Sequence, residues 1–222
     1  LKPFEIITVA KVGSASFKKS LEQLGPCPHS HNLLRLKNIL KEGNRTIISG
    51  IRNPIDRNLS YFFQTYGDNF FNSLKTQKNG YKGENCFVKE LVNETRPEEF
   101  IRQFFLQKNL YVFNDWFEEF LAMTEISSFD KESGLQLYEL KNNNTLLFYK
   151  LESLNKNLPE IKRHFGLDEW LTTNVGGKKK YGEIYAQAKE IIEYPDDYLD
   201  KLLNTSIMKM FYTEDEISRR AT

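Results

Sequence analysis

Apolar positions along this chain alternate between two kinds of run. The first, Ile6-Ile7-Thr8-Val9, is β-rich with no polar alternation, the pattern of a strand covered on both faces in a parallel sheet. Past the turn at Gly13, Phe17, Leu21 and Leu24 recur at i, i+4 and i+7. That spacing predicts a short amphipathic helix stopped by Gly25 and Pro26. The order strand, small-residue loop, helix then repeats. Thr46–Ile51 (TIISGI) reads as a second buried strand, and Asn53-Pro54 as the N-cap and first residue of a helix. Ile55, Leu59, Phe62 and Tyr66 form one stripe of that helix, with Phe63 beside it. Asn53, Arg57 and Ser60 fall on a polar face.

Residues 67–96 are polar and rich in Gly, Asn and Lys, as in a surface excursion. Pro97 to Phe120 reads as helix with a break near Asn114, and its Phe100, Ile101, Phe104 and Phe105 sit at helical spacing. Leu135–Leu140 and Leu146–Leu151 are β-like. A helix from about Pro159 to Phe165 ends at Gly166, residues 174–182 (NVGGKKKYG) make a basic glycine loop, and a last helical region runs from about Glu183 to Phe211. No repeat interrupts this order. It predicts an α/β fold, one domain over 1–222, with a central mostly parallel sheet flanked by helices.

Composition narrows the function classes. A chain of 222 residues with 40% apolar and 14% aromatic content can bury a sizeable core. A net charge of +1 argues against a nucleic-acid binder that works through bulk charge. Two cysteines, Cys27 and Cys86, do not make a disulfide scaffold. No apolar run approaches the ~20 residues that cross a bilayer, and no signal peptide is visible. The chain opens on Leu1 rather than Met, which leaves room for an anchor upstream.

Candidate chemistry begins at residues 11–20, KVGSASFKKS. A strand, a loop of small residues and a helix start form an anion site: unpaired backbone N–H groups and the positive helix end both favour phosphate. Gly13, Ser14, Ala15 and Ser16 let a ligand approach the backbone, and Lys11 stands at the strand end. The alternative is an ordinary turn with capping serines. The stretch also approaches a Walker A loop, with Gly13 followed after four residues by Lys18, Lys19 and Ser20, but the second glycine is missing. The second strand ends in Arg52, where a magnesium-binding acid would be expected, so a P-loop kinase or NTPase ranks second. Arg52 at a strand tip suits bidentate grip of a phosphate, and Ser60 lies about two helical turns further on. Two such sites after successive strands suggest one ligand with phosphates at two separated positions.

Together KVGSASF, RNPIDRNLSYFF and FYKLESL resemble the sulfotransferases that use 3′-phosphoadenosine 5′-phosphosulfate. KVGSASF resembles their 5′-phosphosulfate loop. RNPIDRNLSYFF is similar to their 3′-phosphate motif, with serine eight residues after the arginine, and FYKLESL to a strand-end segment carrying Leu151, Glu152 and Leu154. NVGGKKKYGEIY and MKMFYTEDEI are similar to the carboxyl region of carbohydrate sulfotransferases, more narrowly to bacterial capsular polysaccharide synthesis proteins. The resemblance implies a P-loop-like three-layer fold, that nucleotide as donor, adenosine 3′,5′-bisphosphate as product, a carbohydrate acceptor and no metal. It implies that Lys11 stabilises the sulfuryl group. Residues Lys11, Val12, Gly13, Ser14, Ala15, Ser16 and Phe17 would form the 5′ cradle, Arg52 and Ser60 would bind the 3′-phosphate, and Gly177 and Lys178 would close over the nucleotide. The compartment implied is a bacterial cytoplasm, or a Golgi-type lumen with the anchor removed.

An acceptor hydroxyl must lose a proton. His29 and His31 lie in GPCPHSHNL, a Pro-rich and loop-like segment, and histidine is the commonest general base. In uronosyl 2-O-sulfotransferases a similar His-x-His pair precedes the 3′-phosphate arginine by a little over twenty residues; here His31 precedes Arg52 by 21. His31 is the expected base, with His29 supporting it or binding the acceptor. Glu118 or Glu119 is the fallback, a zinc site with Cys27 lacks a second ligand cluster, and Trp116, Tyr61 and Tyr66 are candidate sugar platforms. A binding domain without catalysis is the remaining alternative.

Overall fold

Strands β1 (Phe4–Ile7) and β3 (Thr46–Ile51) are buried along their whole length, and the one charged side chain in them, Glu5, is 2% exposed and pairs with Arg35. A computed structural model describes residues 2–67, 97–106, 114–173 and 181–218. The chain divides into two compact units. The first comprises Leu1–Ile55, Val112–Thr173 and Asp196–Thr222; the second comprises Asp56–Tyr111 and Asn174–Pro195.

The first unit is a mixed α/β structure around a five-stranded sheet of order β2-β1-β3-β5-β4. Strands β1, β2 (His29–Ser30), β3 and β5 (Asn144–Lys150) are parallel, and β4 (Leu135–Leu140) runs antiparallel to β5 at the edge. Burial alternates along β4, as it does in an edge strand with one solvated face. On one face of the sheet lie Phe17 and Leu21 of α1 (Ser14–Leu21) and Leu154, Ile161 and Phe165 of α6 (Leu154–Phe165), in one apolar cluster with Ile6, Ile48, Leu147 and Tyr149. Phe148 points the other way. It meets Phe120 of α5 (Asn114–Thr124) at 5.9 Å and stacks on Phe211 of α9 (Ser206–Phe211) at 4.8 Å. Helix α2 (Leu33–Glu42) packs against β1 and α5, burying Leu33, Leu36 and Ile39. The unit also includes α8 (Asp196–Leu203) and α10 (Glu214–Ser218).

Helix α3 (Pro54–Phe62) starts in the first unit, and the Asn53 carboxamide caps it by accepting from Ile55 N–H at 3.0 Å. Its later residues belong to the second unit, with α4 (Pro97–Leu106) and α7 (Gly182–Ile191). Aromatic rings bind that unit: Phe63 stacks on Phe100 at 5.3 Å and meets Tyr185 edge-on at 5.2 Å. Arg57, expected on a polar face, is 2% exposed and donates to the Asn58 carboxamide at 3.0 Å.

Several boundaries depart from expectation. β1 covers Phe4–Ile7 rather than 6–9, because its register with β3 ends at Ile6, although Thr8 N–H still donates to the Ser30 carbonyl of β2 at 3.1 Å. Helix α1 ends at Leu21, and Leu24 is exposed. The segment around His29 is a short strand, and α2 follows it where the sequence pattern predicts no helix. α6 starts five residues before Pro159. The ring takes no donor from a buried carbonyl, since Asn155 four residues earlier is exposed and can be hydrated. The glycine loop up to residue 180 and the 68–96 segment lie outside the described residues. No described helix is long and apolar enough to cross a membrane.

Candidate functional site

Parallel pairing brings the carboxyl ends of β1, β3 and β5 to one edge of the sheet, where open α/β sheets place ligands. The loop after β1 has an unusual backbone. Lys11 has φ 74° and Gly13 has φ 83°, on either side of Val12, whose φ is not positive. Such an alternation turns successive N–H groups toward one point and suits anions. Gly13 is the N-cap of α1 and offers no side-chain acceptor, although its carbonyl takes the Ser16 N–H at 3.1 Å.

The loop is held from behind. Tyr149, fully buried at the end of β5, donates its phenol to the Val12 carbonyl at 2.8 Å, and its ring stacks on Phe17 at 4.5 Å. At φ 83° the backbone at Gly13 favours glycine, and a Cβ there would lie 2.6 Å from Leu151 Cδ1, so that side chain would have to move. The Val12 and Phe17 side chains, counted among the expected cradle, are sealed in the core at 0% exposure. The hydroxyl of Ser16 is likewise engaged: it accepts from Thr173 N–H at 3.0 Å. Ser20 is buried and accepts from Leu171 N–H at 2.8 Å, while Lys18 pairs with Glu22 at 3.6 Å. The Ser of the near-Walker pattern, and the Lys18 that stands where its second glycine would, thus have structural partners, while Lys19, at the pattern's lysine position, is exposed.

Arg52 follows β3 and is half-buried. Its Nη1 donates to the Lys11 carbonyl at 3.5 Å, so the two strand tips meet. The N–H of Asn53 donates to Glu152 Oε1 at 2.8 Å, just past β5. Asn53 Nδ2 is buried without a hydrogen-bond partner among the described residues. Ser60 falls in the second unit, as does Tyr61, and Gly177 and Lys178 lie outside the described residues.

Both histidines gather on Thr8. His31 Nδ1 is 2.5 Å from the Thr8 carbonyl, and His29 Nε2 is 3.2 Å from the Thr8 hydroxyl. A carbonyl only accepts, so His31 carries its proton on Nδ1, and Nε2 of the neutral ring keeps a lone pair. The two rings stand edge-to-face at 4.7 Å. Burial, then the neighbouring His31 and Lys18, lowers the pKa of His29 to about 4, so it is uncharged at neutral pH. Trp116, on α5, donates its indole N–H to the His31 carbonyl at 3.1 Å and stacks on Phe120 at 5.1 Å. Glu118 and Glu119 are exposed on the same helix.

Tyr149 and the contact of Trp116 with His31 escaped the sequence reading, and Glu152 entered it without a role. Only the strand-end pattern FYKLES hinted at Tyr149 and Glu152. The described residues contain no group of three or more His, Cys, Asp or Glu fit to hold a metal ion. Cys27 is a buried free thiol, pushed up to about 12 chiefly by burial. Taken together, the edge gathers a loop with two left-handed residues, an arginine and a histidine whose Nδ1 faces a carbonyl. No protein-family model, curated protein or solved structure matches the chain.

Proposed function

We propose that the chain is a sulfotransferase that moves the sulfuryl group of 3′-phosphoadenosine 5′-phosphosulfate to a carbohydrate hydroxyl, on a P-loop-like α/β fold. The observation that carries this reading is the meeting of Arg52 with the backbone of Lys11 at adjacent strand tips. One extended anion with two phosphates can be gripped there at both ends. The loop's N–H groups and the Lys11 ammonium hold the 5′ end, and the Arg52 guanidinium holds the 3′-phosphate.

The donor nucleotide supplies an activated sulfuryl group. As its bond to the 5′-phosphate oxygen breaks, negative charge grows on that oxygen, and Lys11 with the loop amides stabilises it without reorganising. The acceptor oxygen forms the new S–O bond, and its proton passes to Nε2 of His31. His29, with a pKa near 4, is a weak proton acceptor at neutral pH and orients Thr8 and His31 instead. Trp116 beside His31 offers an aromatic surface of the kind that sugars stack on, which supports a carbohydrate acceptor.

Thermal shift and equilibrium binding test the reading, with adenosine 3′,5′-bisphosphate, 5′-AMP and ATP plus magnesium as ligands. A ligand that binds the native state raises the melting point. The bisphosphate is expected to bind most tightly, and Arg52→Ala to erase its advantage over 5′-AMP. Equal affinity for those two compounds rules out a 3′-phosphate pocket, and magnesium-dependent ATP binding points to phosphoryl transfer instead.

A further inference from the structure

The peptide that joins Arg52 to Asn53 is held from two distant parts of the chain. Its N–H donates to Oε1 of Glu152 at 2.8 Å, and Oε2 of the same carboxylate accepts from the Tyr212 phenol at 3.2 Å. Glu152 lies in the short turn Leu151–Ser153 that follows β5, and Tyr212 follows α9. The end of β3, the end of β5 and the C-terminal helices thus converge on one carboxylate.

The C-terminal side of this brace is itself anchored. Thr213 N–H donates to Glu216 Oε2 at 2.9 Å, and Glu216 N–H donates to Thr213 Oγ1 at 3.2 Å, a reciprocal capping box at the start of α10. Glu216 also takes the buried Lys150 ammonium at 2.7 and 2.8 Å, and that ammonium lies 5.2 Å from the centre of the Tyr212 ring. Lys150 is two residues before Glu152, so the Tyr212–Glu216 segment grips the tip of β5 twice.

We infer that Glu152, steadied by Tyr212, is a positioning residue for the anion pocket, fixing the Arg52–Asn53 peptide so that the guanidinium stands beside Lys11. The inference rests on reading Arg52 as a 3′-phosphate ligand. Two features favour a geometric task over the alternatives. Glu152 is solvent-exposed, so its hydrogen bonds add little to global stability. It is also an anion close to a pocket for anions, where its charge opposes binding. What remains is placement: a long arginine side chain magnifies any rotation of the peptide from which it springs, and small misplacements of a binding group are costly.

Three variants of the full chain separate these roles. For Glu152→Ala, Glu152→Gln and Tyr212→Phe, the dissociation constants of adenosine 3′,5′-bisphosphate and 5′-AMP are measured by calorimetry beside melting temperatures. Glu152→Ala should weaken the bisphosphate about fivefold, the scale of one partly screened charged hydrogen bond, and move 5′-AMP less than about twofold. Glu152→Gln keeps an acceptor and loses the opposing charge, so it should bind the bisphosphate at least as well as the wild type. Tyr212→Phe should weaken the bisphosphate about twofold, in the same direction as Glu152→Ala. Equal losses for both ligands, or a Gln variant as impaired as the Ala variant, overturn the inference. So does an unchanged preference in Tyr212→Phe, which keeps the test decisive if Glu152→Ala fails to fold. A wild-type protein without preference for the bisphosphate overturns the reading of the pocket itself; a wild type with that preference and an indifferent Glu152→Ala overturns only the positioning role.

Discussion

The Tyr149 phenol reaches from the end of β5 to the Val12 carbonyl in the loop after β1, 2.8 Å away. Burial pushes its pKa well above the ordinary tyrosine range, so the hydroxyl stays a donor at every working pH. Tyr149→Phe keeps the ring on Phe17 and over Gly50 but leaves a buried carbonyl without its donor. Urea unfolding should show a loss of about 1–3 kcal/mol, the cost of orphaning a buried acceptor. Turnover should fall as well, since the carbonyl belongs to the loop between Lys11 and Gly13.

Gly13 and Leu151 are coupled by space. An alanine at position 13 meets two separate penalties: a left-handed φ of 83° and a Cβ 2.6 Å from Leu151 Cδ1. The first costs about 1–2 kcal/mol for a non-glycine residue. The second is relieved if Leu151 is shortened. Gly13→Ala should therefore destabilise strongly on its own and less in a Leu151→Ala background. A double-mutant cycle should show coupling of about 1 kcal/mol or more; additive effects would mean that the loop moves aside freely.

What the sequence shows of this molecule depends on how local each cause is. β3 is legible to the residue because its signal is a short uncharged run rich in isoleucine, and α3 because Asn53 and Pro54 act on their immediate neighbours. The position of β1 depends on where β2 pairs with it, which no local pattern carries. α2 escapes because the Pro-rich stretch before it dominates the reading, although Leu33, Leu36 and Ile39 carry helical spacing. The candidate site divides the same way. Lys11, Gly13, Arg52 and the histidines can be nominated from residue type beside a strand end. Tyr149, Glu152 and Tyr212 act across 137, 99 and 60 positions, and only the folded chain brings them to their partners.

His29 and Glu216 each contribute to the acid limb of stability, in different pH windows. His29 has its pKa lowered from 6.5 to about 4, with burial as the leading cause. Between those values the unfolded chain binds a proton that the native state refuses, so stability falls as pH drops from about 6.5 toward 4. Burial alone would raise the pKa of Glu216, but hydrogen bonds from Lys150 and Thr213 outweigh it and hold the carboxyl below its usual value of 4.5. Its contribution is complete above that value and is lost as pH falls through the lower native one. Urea midpoints measured from pH 7.5 to 3 should decline in both windows. His29→Gln should flatten the upper slope and Glu216→Gln the lower. Glu216→Gln should also cost about 2–4 kcal/mol at neutral pH, because the Lys150 ammonium, 1% exposed, loses its counter-charge. An unchanged upper slope in His29→Gln would assign that window to another group.

Lys11 offers the sharpest division between stability and activity. Its φ of 74° costs a non-glycine residue about 1–2 kcal/mol, and strain of this kind persists where function demands the side chain. Lys11→Gly removes the strain but adds about 0.5–1 kcal/mol of chain entropy to the unfolded state, so the protein should be as stable as wild type or slightly more so. Lys11→Asn tolerates the same backbone without the charge. Both variants should keep a native melting curve and bind adenosine 3′,5′-bisphosphate with modest loss, while the proposed sulfuryl transfer should fall by orders of magnitude, because in that proposal the ammonium acts most strongly on charge that develops in the transition state. Retained turnover in either variant would take Lys11 out of the mechanism. A large loss of stability in Lys11→Gly would show that the side chain, rather than the reaction, holds this backbone in its left-handed form.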